Sequence, residues 1–373
     1  MNKKSVALLM ALAVLLVVSP ACKKKEVVAG KADAKDMLTM LPENAALVIS
    51  FDCHQFSQLA LFDKAIAGDW GKKDEGSKKI FKDYQEFVTK TGIDLKKDLF
   101  FVSFALYGQL GSQEPEGVGV VNMKYDRQRL LTLLLENQVT VQEEIYQGVS
   151  VYSVKDAEKK IVKKEEDFRF AFLNPSNILF GTPAKVKSAI DLAKGKGQNI
   201  LKTASFKKYF AQIKADSMFW LVLGSLPEAI KSKPQAGSQV PVDLSKAEAF
   251  LGYLDFKNKM LSGQFQLISH NEEGNKGIVD LLNGLKALGA MGSTKEPELA
   301  ELLNGINLTS NADQIKLTFS ISDAVLNKLG EKAKEKAATA LTAPAVAPEA
   351  EPSAEGAISD VPQDPLPEPE QNP

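Results

Sequence analysis

Along residues 41–340, short apolar runs alternate with stretches whose apolar residues recur every three or four positions, the two periods of strands and amphipathic helices. A first pass predicts a strand over 46–51, helical pattern over 56–66 and 78–91, strands over 99–107 and 117–123, and a helix capped by Asp126 that carries Leu130, Leu131, Leu134 and Leu135. Strands near 146–154 and 168–173 follow, with a short extension over 177–180, and Thr182-Pro183 opens another helix in the favoured order of cap then proline. A helix capped by Ser205 then bridges to a second pass. That pass has a strand over 217–223, a weak helical stretch, strands over 249–256 and 260–269, helical pattern over 276–288 and 297–303, strands over 306–309 and 315–321, and a last helix from Asp323 capped by Ser322. Each pass reads β-α-β-β-α-β-β-α. The expectation is an α+β fold of two related halves, 41–203 and 204–340, each a mainly antiparallel sheet covered by helices.

The runs 218–223 and 99–102 are apolar on both faces. Core packing on both sides of the sheet accounts for this, and a lipid-sized cavity between sheet and helices is the alternative. Either way Phe100, Val102, Phe219 and Leu221 stand out as a ligand or core face.

The ends of the chain have a different pattern. Lys3 and Lys4 precede an apolar run over 6–18, and Ser19-Pro20-Ala21-Cys22 supplies small residues and a cysteine, the layout of a secretory signal peptide over 1–21. Cys22 after Ala21 resembles the lipobox of bacterial lipoproteins, which implies a lipid on Cys22 that anchors the chain to a membrane. Ser19-x-Ala21 also suits an ordinary signal peptidase and simple secretion. By the same resemblance, Lys23 after the cysteine favours an outer membrane. Residues 22–40 read as a solvated tether, and a flexible 18-residue stretch has a root-mean-square span of about 20–25 Å. Residues 341–373 hold eight Pro, seven Asp or Glu and no Lys or Arg, so they read as a disordered acidic tail. The whole chain carries a net charge of −1, and setting aside Lys3, Lys4 and the tail leaves about +4 on 22–340. With Cys22 acylated, Cys53 has no disulfide partner.

Leu41-Pro42-x-x-Ala45 before an apolar strand, and the stretch from Phe168 through Gly181-Thr182-Pro183 to Gly195, Leu201, Phe206 and Phe219, resemble a family of exported bacterial proteins known as a domain of unknown function. The resemblance spans most of 40–335 and implies no activity.

Candidate chemistry is sparse. The two histidines, His54 and His270, limit acid–base options, and Cys53 and His54 would point to opposite faces of a strand end. Gly117-x-Gly119 lies inside a strand with Asn122 where a phosphate loop needs a third glycine, and Gly195-Lys196-Gly197 ends a helix. Trp70 reads as a loop residue that packs beneath its own loop or touches a partner or membrane. The reading is a lipid-anchored envelope protein with a non-catalytic binding or structural role, an envelope partner, no cofactor and no nucleic acid. Its rivals are a carrier of lipid or another hydrophobic ligand and a carboxylate-dependent hydrolase.

Overall fold

The computed structural model describes residues 34–59, 62, 84–110, 115–137, 139–155, 168–227, 231, 244–292 and 296–329. The predicted signal peptide, Cys22, Trp70 and the acidic tail therefore lie outside the described residues. Twelve strands form one sheet, β1 (Leu47–Asp52), β2 (Leu99–Tyr107), β3 (Glu116–Met123), β4 (Thr140–Tyr146), β5 (Val149–Lys155), β6 (Arg169–Asn174), β7 (Asn177–Gly181), β8 (Phe219–Leu223), β9 (Ala247–Lys257), β10 (Met260–Ser269), β11 (Ile306–Ser310) and β12 (Gln314–Ser322). Their spatial order is β11-β12-β10-β9-β8-β1-β2-β3-β7-β6-β5-β4, and every neighbouring pair is antiparallel. The expectation of a separate sheet in each half is thereby corrected. β1 pairs with β2 on one side and β8 on the other, Ile49 facing both Phe104 and Leu221, so the two halves meet inside one continuous ladder.

Local sequence explains most of the boundaries. Asp126 Oδ1 accepts from Arg129 N at 3.0 Å, and Ser322 Oγ accepts from Val325 N at 3.3 Å, each meeting an orphan donor of a first helical turn. Three expectations shift. The predicted strand over 146–154 is a hairpin of β4 and β5, because Gln147 and Gly148 both take positive φ, 49° and 76°, as a tight two-residue turn requires. Where a helix is expected over 56–66, Asp52 Oδ1 accepts from Gln55 N at 2.9 Å and begins a single turn, α2 (Cys53–Phe56), that ends at Phe56, with most of 60–66 outside the described residues; the short α1 (Ala34–Leu38) precedes β1. The bridging helix is preceded by Thr203 rather than Ser205, which falls within its first turn.

The other helices among the described residues are α3 (84–91), α4 (Leu95–Asp98), α5 (Arg127–Glu136), α6 (Pro183–Ala193), α7 (Ala204–Phe210), α8 (Glu272–Gly292), α9 (Pro297–Asn304) and α10 (323–329). Strand alternation sends side chains to two faces, and the helices cover those faces unequally. On the first face, Met37 and Leu38 of α1, Ile190 of α6 and Phe206 and Tyr209 of α7 bury Val48, Ala105, Leu179, Trp220 and Leu251 in the main core. On the second face, Phe87 of α3 and Leu130, Leu133 and Leu134 of α5 bury Val121, Phe170 and Phe180 at one end of the sheet. At the other end α8 and α9 pack on β11 and β12.

Candidate binding face

Register places the second face's central residues in rows that run across the strands. One row is Val102, Phe51, Phe219 and Leu254; the next is Phe104, Ile49, Leu221, Gly252 and Phe265; a third is Leu106, Leu47, Leu223, Phe250 and Leu267. Phe51 is 39% exposed, and Phe219, Leu221, Leu223, Phe250 and Leu254 are half-buried. The neighbouring residues of β8 on the first face, Trp220 and Val222, are almost fully buried. The same strand is thus apolar on both sides, with the helix-covered side closed and the other partly open to water.

The aromatic residues on this face lie flat over glycines. A Cβ built on Gly252 would sit 2.2 Å from Phe265 Cδ1, and one on Gly119 would sit 2.1 Å from Phe180 Cζ. Phe250 and Phe265 stack at 5.8 Å between ring centroids, Phe265 and Phe319 at 6.3 Å, and Phe104 and Phe180 at 5.9 Å. The glycine at 119 therefore has a packing reason: it makes room for a phenyl ring inside a strand, where a phosphate would find no turn.

Of the four residues singled out from the sequence, the structure brings Val102, Phe219 and Leu221 to this face. Phe100 packs with the main core on the first face, because a bulge between Leu99 and Phe101 breaks the alternation. Phe51, Phe250 and Phe265 complete the face and were not singled out; their signal was alternation within β1, β9 and β10, visible only once register is known.

Elsewhere, a cleft of about 430 Å³ opens between α1, the end of α6 and the β6–β7 turn. Asp36, Thr39, Asn174, Asn177 and Lys194 line it together with Met37, Met40 and Leu173, so it mixes polar and apolar groups. It opens on the side of the first-face helices, away from Phe219. Cys53 and His54 occupy the turn of α2 rather than a strand end. Burial and the adjacent Asp52 carboxylate push the Cys53 thiol up to about 12, which keeps it protonated and a poor nucleophile at neutral pH despite its place at a helix start. His270 Nδ1 lies 2.9 Å from Asp313 Oδ1 and its Nε2 3.5 Å from Glu248 Oε1, and Tyr209 OH donates to Glu248 Oε2 at 3.4 Å. This half-exposed chain of polar groups ties β9, β10 and α7 together. No helix among the described residues is long and apolar enough to cross a membrane.

No protein-family model and no curated protein matches the chain, so the resemblance carried by Leu41-Pro42 and Gly181-Thr182-Pro183 is not joined by a matching family. Among solved structures the chain is similar to crystal forms III, I and IV of TP0453 of Treponema pallidum. The identities are 11%, 12% and 12%, the TM-scores 0.45, 0.43 and 0.42, and the matches cover 80%, 80% and 79% of this chain and 98%, 97% and 96% of those chains.

Proposed function

We propose that this is an exported, lipid-anchored envelope protein whose body has a non-catalytic binding role, exercised by the open centre of the second sheet face. The observation that carries the reading is the half-buried strip across β1, β8 and β9, where Phe51, Phe219, Leu221 and Phe250 adjoin in register. Covering such residues is favourable at about 25 cal/mol per Å² of apolar surface, so a partner that closed over the strip would gain several kcal/mol. The signal layout and Cys22 support the anchor. The matching strand orders β1-β2-β3-β7-β6 and β8-β9-β10-β12-β11 support an internal duplication, in which β4 and β5 extend only the first copy.

A second reading, a carrier of a hydrophobic small molecule, uses the same strip. Two measurements separate the readings. Mass spectrometry of an organic extract from mature protein made with Cys22→Ser is expected to be free of stoichiometric lipid; a lipid present one-to-one selects the carrier. A photo-crosslinker placed at Phe51 in cells is expected to capture an envelope protein, and the absence of any adduct would count against a protein-binding face. In a fractionated cell whose membranes are washed with about 0.5 M salt, Cys22→Ala is expected to move the chain to the soluble fraction, and persistence on the washed membrane would overturn the anchor.

A further inference from the structure

The stretch from Leu192 to Ala215 contains six lysines and no acidic residue. It runs from the end of α6 through a loop and a single 3-10 turn (Ile200–Lys202) into α7 and on toward β8. Lys214 is consumed by an ion pair with the buried Asp255, but Lys194, Lys196, Lys202, Lys207 and Lys208 are all exposed. Of the two acids that bound the stretch, Asp191 accepts from Tyr146 OH at 2.9 Å, and Asp216 lies 4.0 Å from Lys257 and otherwise acts on Lys214, leaving the five exposed lysines to themselves. The result is a surface ridge with five exposed positive charges on a chain whose overall charge is near neutral.

The ridge lies where the chain leaves the fold toward its N-terminus. Ile200 N donates to Leu41 O at 2.8 Å, Glu43 N donates to Gln198 O at 3.1 Å, and Pro42 and Asn199 form a bridge. Lys194 and Ala193 share the cleft with Asp36 and Met37 of α1. Asp36 and Glu43 on this adjoining segment subtract two charges and Lys35 adds one, so the surroundings of the exit remain positive. Eleven residues, 23–33, separate Ala34 from Cys22, a length that reaches at most about 40 Å even when fully extended. Lys23, Lys24, Lys25 and Lys31 lie along it.

We infer that the ridge Lys194–Lys208 is a docking surface for anionic lipid headgroups, which turns this end of the body toward the membrane that holds the anchor. The orientation rests on the lipid anchor proposed above; the headgroup contact does not. A lysine within a Debye length of an anionic surface contributes about 1 kcal/mol, so several together supply a bias that a short tether makes effectively permanent. The open apolar strip lies on the opposite face of the sheet, so docking by the ridge leaves it free for a partner.

The test uses full-length mature chain with Cys22→Ser, so that no lipid contributes. Flotation with vesicles holding about 30% phosphatidylglycerol is expected to recover about tenfold more protein than with neutral phosphatidylcholine vesicles, and about 0.5 M salt is expected to abolish the difference. Lys194→Glu/Lys202→Glu/Lys207→Glu is expected to remove most of the binding, whereas Lys259→Glu/Lys276→Glu, a charge reversal away from the ridge, leaves it. Equal loss in both variants would reduce the effect to net charge and overturn the ridge, as would equal recovery on neutral and anionic vesicles. Binding that appears only after residues 341–373 are removed would assign the ridge to the chain's own acidic tail instead. Vesicle binding by the Cys22→Ser chain alongside a Cys22→Ala chain that stays on salt-washed membranes in cells would leave the docking surface standing and sink only the anchor.

Discussion

At Gly252 and Gly277 the same glycine-to-alanine change has opposite expected signs, and the neighbours decide which. Gly252 lies in β9 under the Phe265 ring, and an added methyl would stand 2.2 Å from a ring carbon, so the phenyl must leave its stack with Phe250. Gly252→Ala is expected to cost about 1–3 kcal/mol in chemical denaturation. Gly277 lies in α8 with nothing within 4 Å of a new Cβ, so Gly277→Ala is expected to stabilise by roughly 0.5–1 kcal/mol. If the two shifts share a sign, the phenyl-over-glycine packing of the second face is wrong. Cys53 adds a pH dependence. Its folded thiol holds its proton up to about 12 while an unfolded one ionises near 9.0, so the folded state binds more protons across that window. Its contribution is complete below pH 9 and falls as pH rises toward 12. Alkylation at neutral pH should accordingly be slow in buffer and fast in denaturant. Among single residues, Val102, Phe219 and Leu221 were legible as a face because β2 and β8 are apolar on both sides. Phe100 was not, because one bulge redirected it and nothing in the run Leu99-Phe100-Phe101 signals a bulge.

Helices announced themselves through caps and spacing, and strands through apolar runs, so the elements that deviate from those signals were the ones misread. β4 is an edge strand whose Glu143 and Glu144 engage Arg127 and Lys187; it carries the charge that protects an edge from pairing, and so it resembles a linker in sequence. The predicted 146–154 strand absorbed its last residue for that reason. α8 is longer than its pattern, running from Glu272 to Gly292, because Asn275, buried at its start, donates to Ser269 O at 2.8 Å and Asn311 O at 3.0 Å and ties the first turn to the sheet. Toward its other end Leu285, Leu288 and Met291 are exposed, Leu288 at 66% and Met291 at 74%. Leu288→Lys is therefore expected to change stability by no more than about 0.5 kcal/mol while lowering the binding of a hydrophobic dye. Val279→Ala on the buried side should cost about 1–3 kcal/mol. Comparable losses at the two positions would mean that α8 buries its far end.

The joining of the halves was the part of the fold that no local pattern carried. The β1–β8 ladder, Leu47 with Leu223 through Phe51 with Phe219, closes across most of the first half of the chain, and long-range strand pairing leaves no trace in turn residues or spacing. Its consequence is mechanical and thermodynamic. α1 precedes the first half and α7 belongs to the second, yet they contribute Met37, Leu38, Phe206 and Tyr209 to the same core as Val48 and Ala105 of the first, in which Trp220 is 1% exposed and meets Phe210 edge-on at 5.2 Å. Two bodies that share a core and a strand ladder cannot lose one without exposing the apolar surface of the other, so the sheet should unfold as one cooperative unit. With Trp70→Phe leaving Trp220 as the reporter of the seam, its fluorescence and the far-ultraviolet circular dichroism of the whole sheet are expected to follow a single coincident urea transition. Trp220→Ala, which empties the seam, should move both signals together by about 3–5 kcal/mol. Separation into two transitions, with Trp220 reporting only one, would show that the halves fold independently. It would also make the open strip, which is built from strands of both halves, a junction between two domains that can open and close.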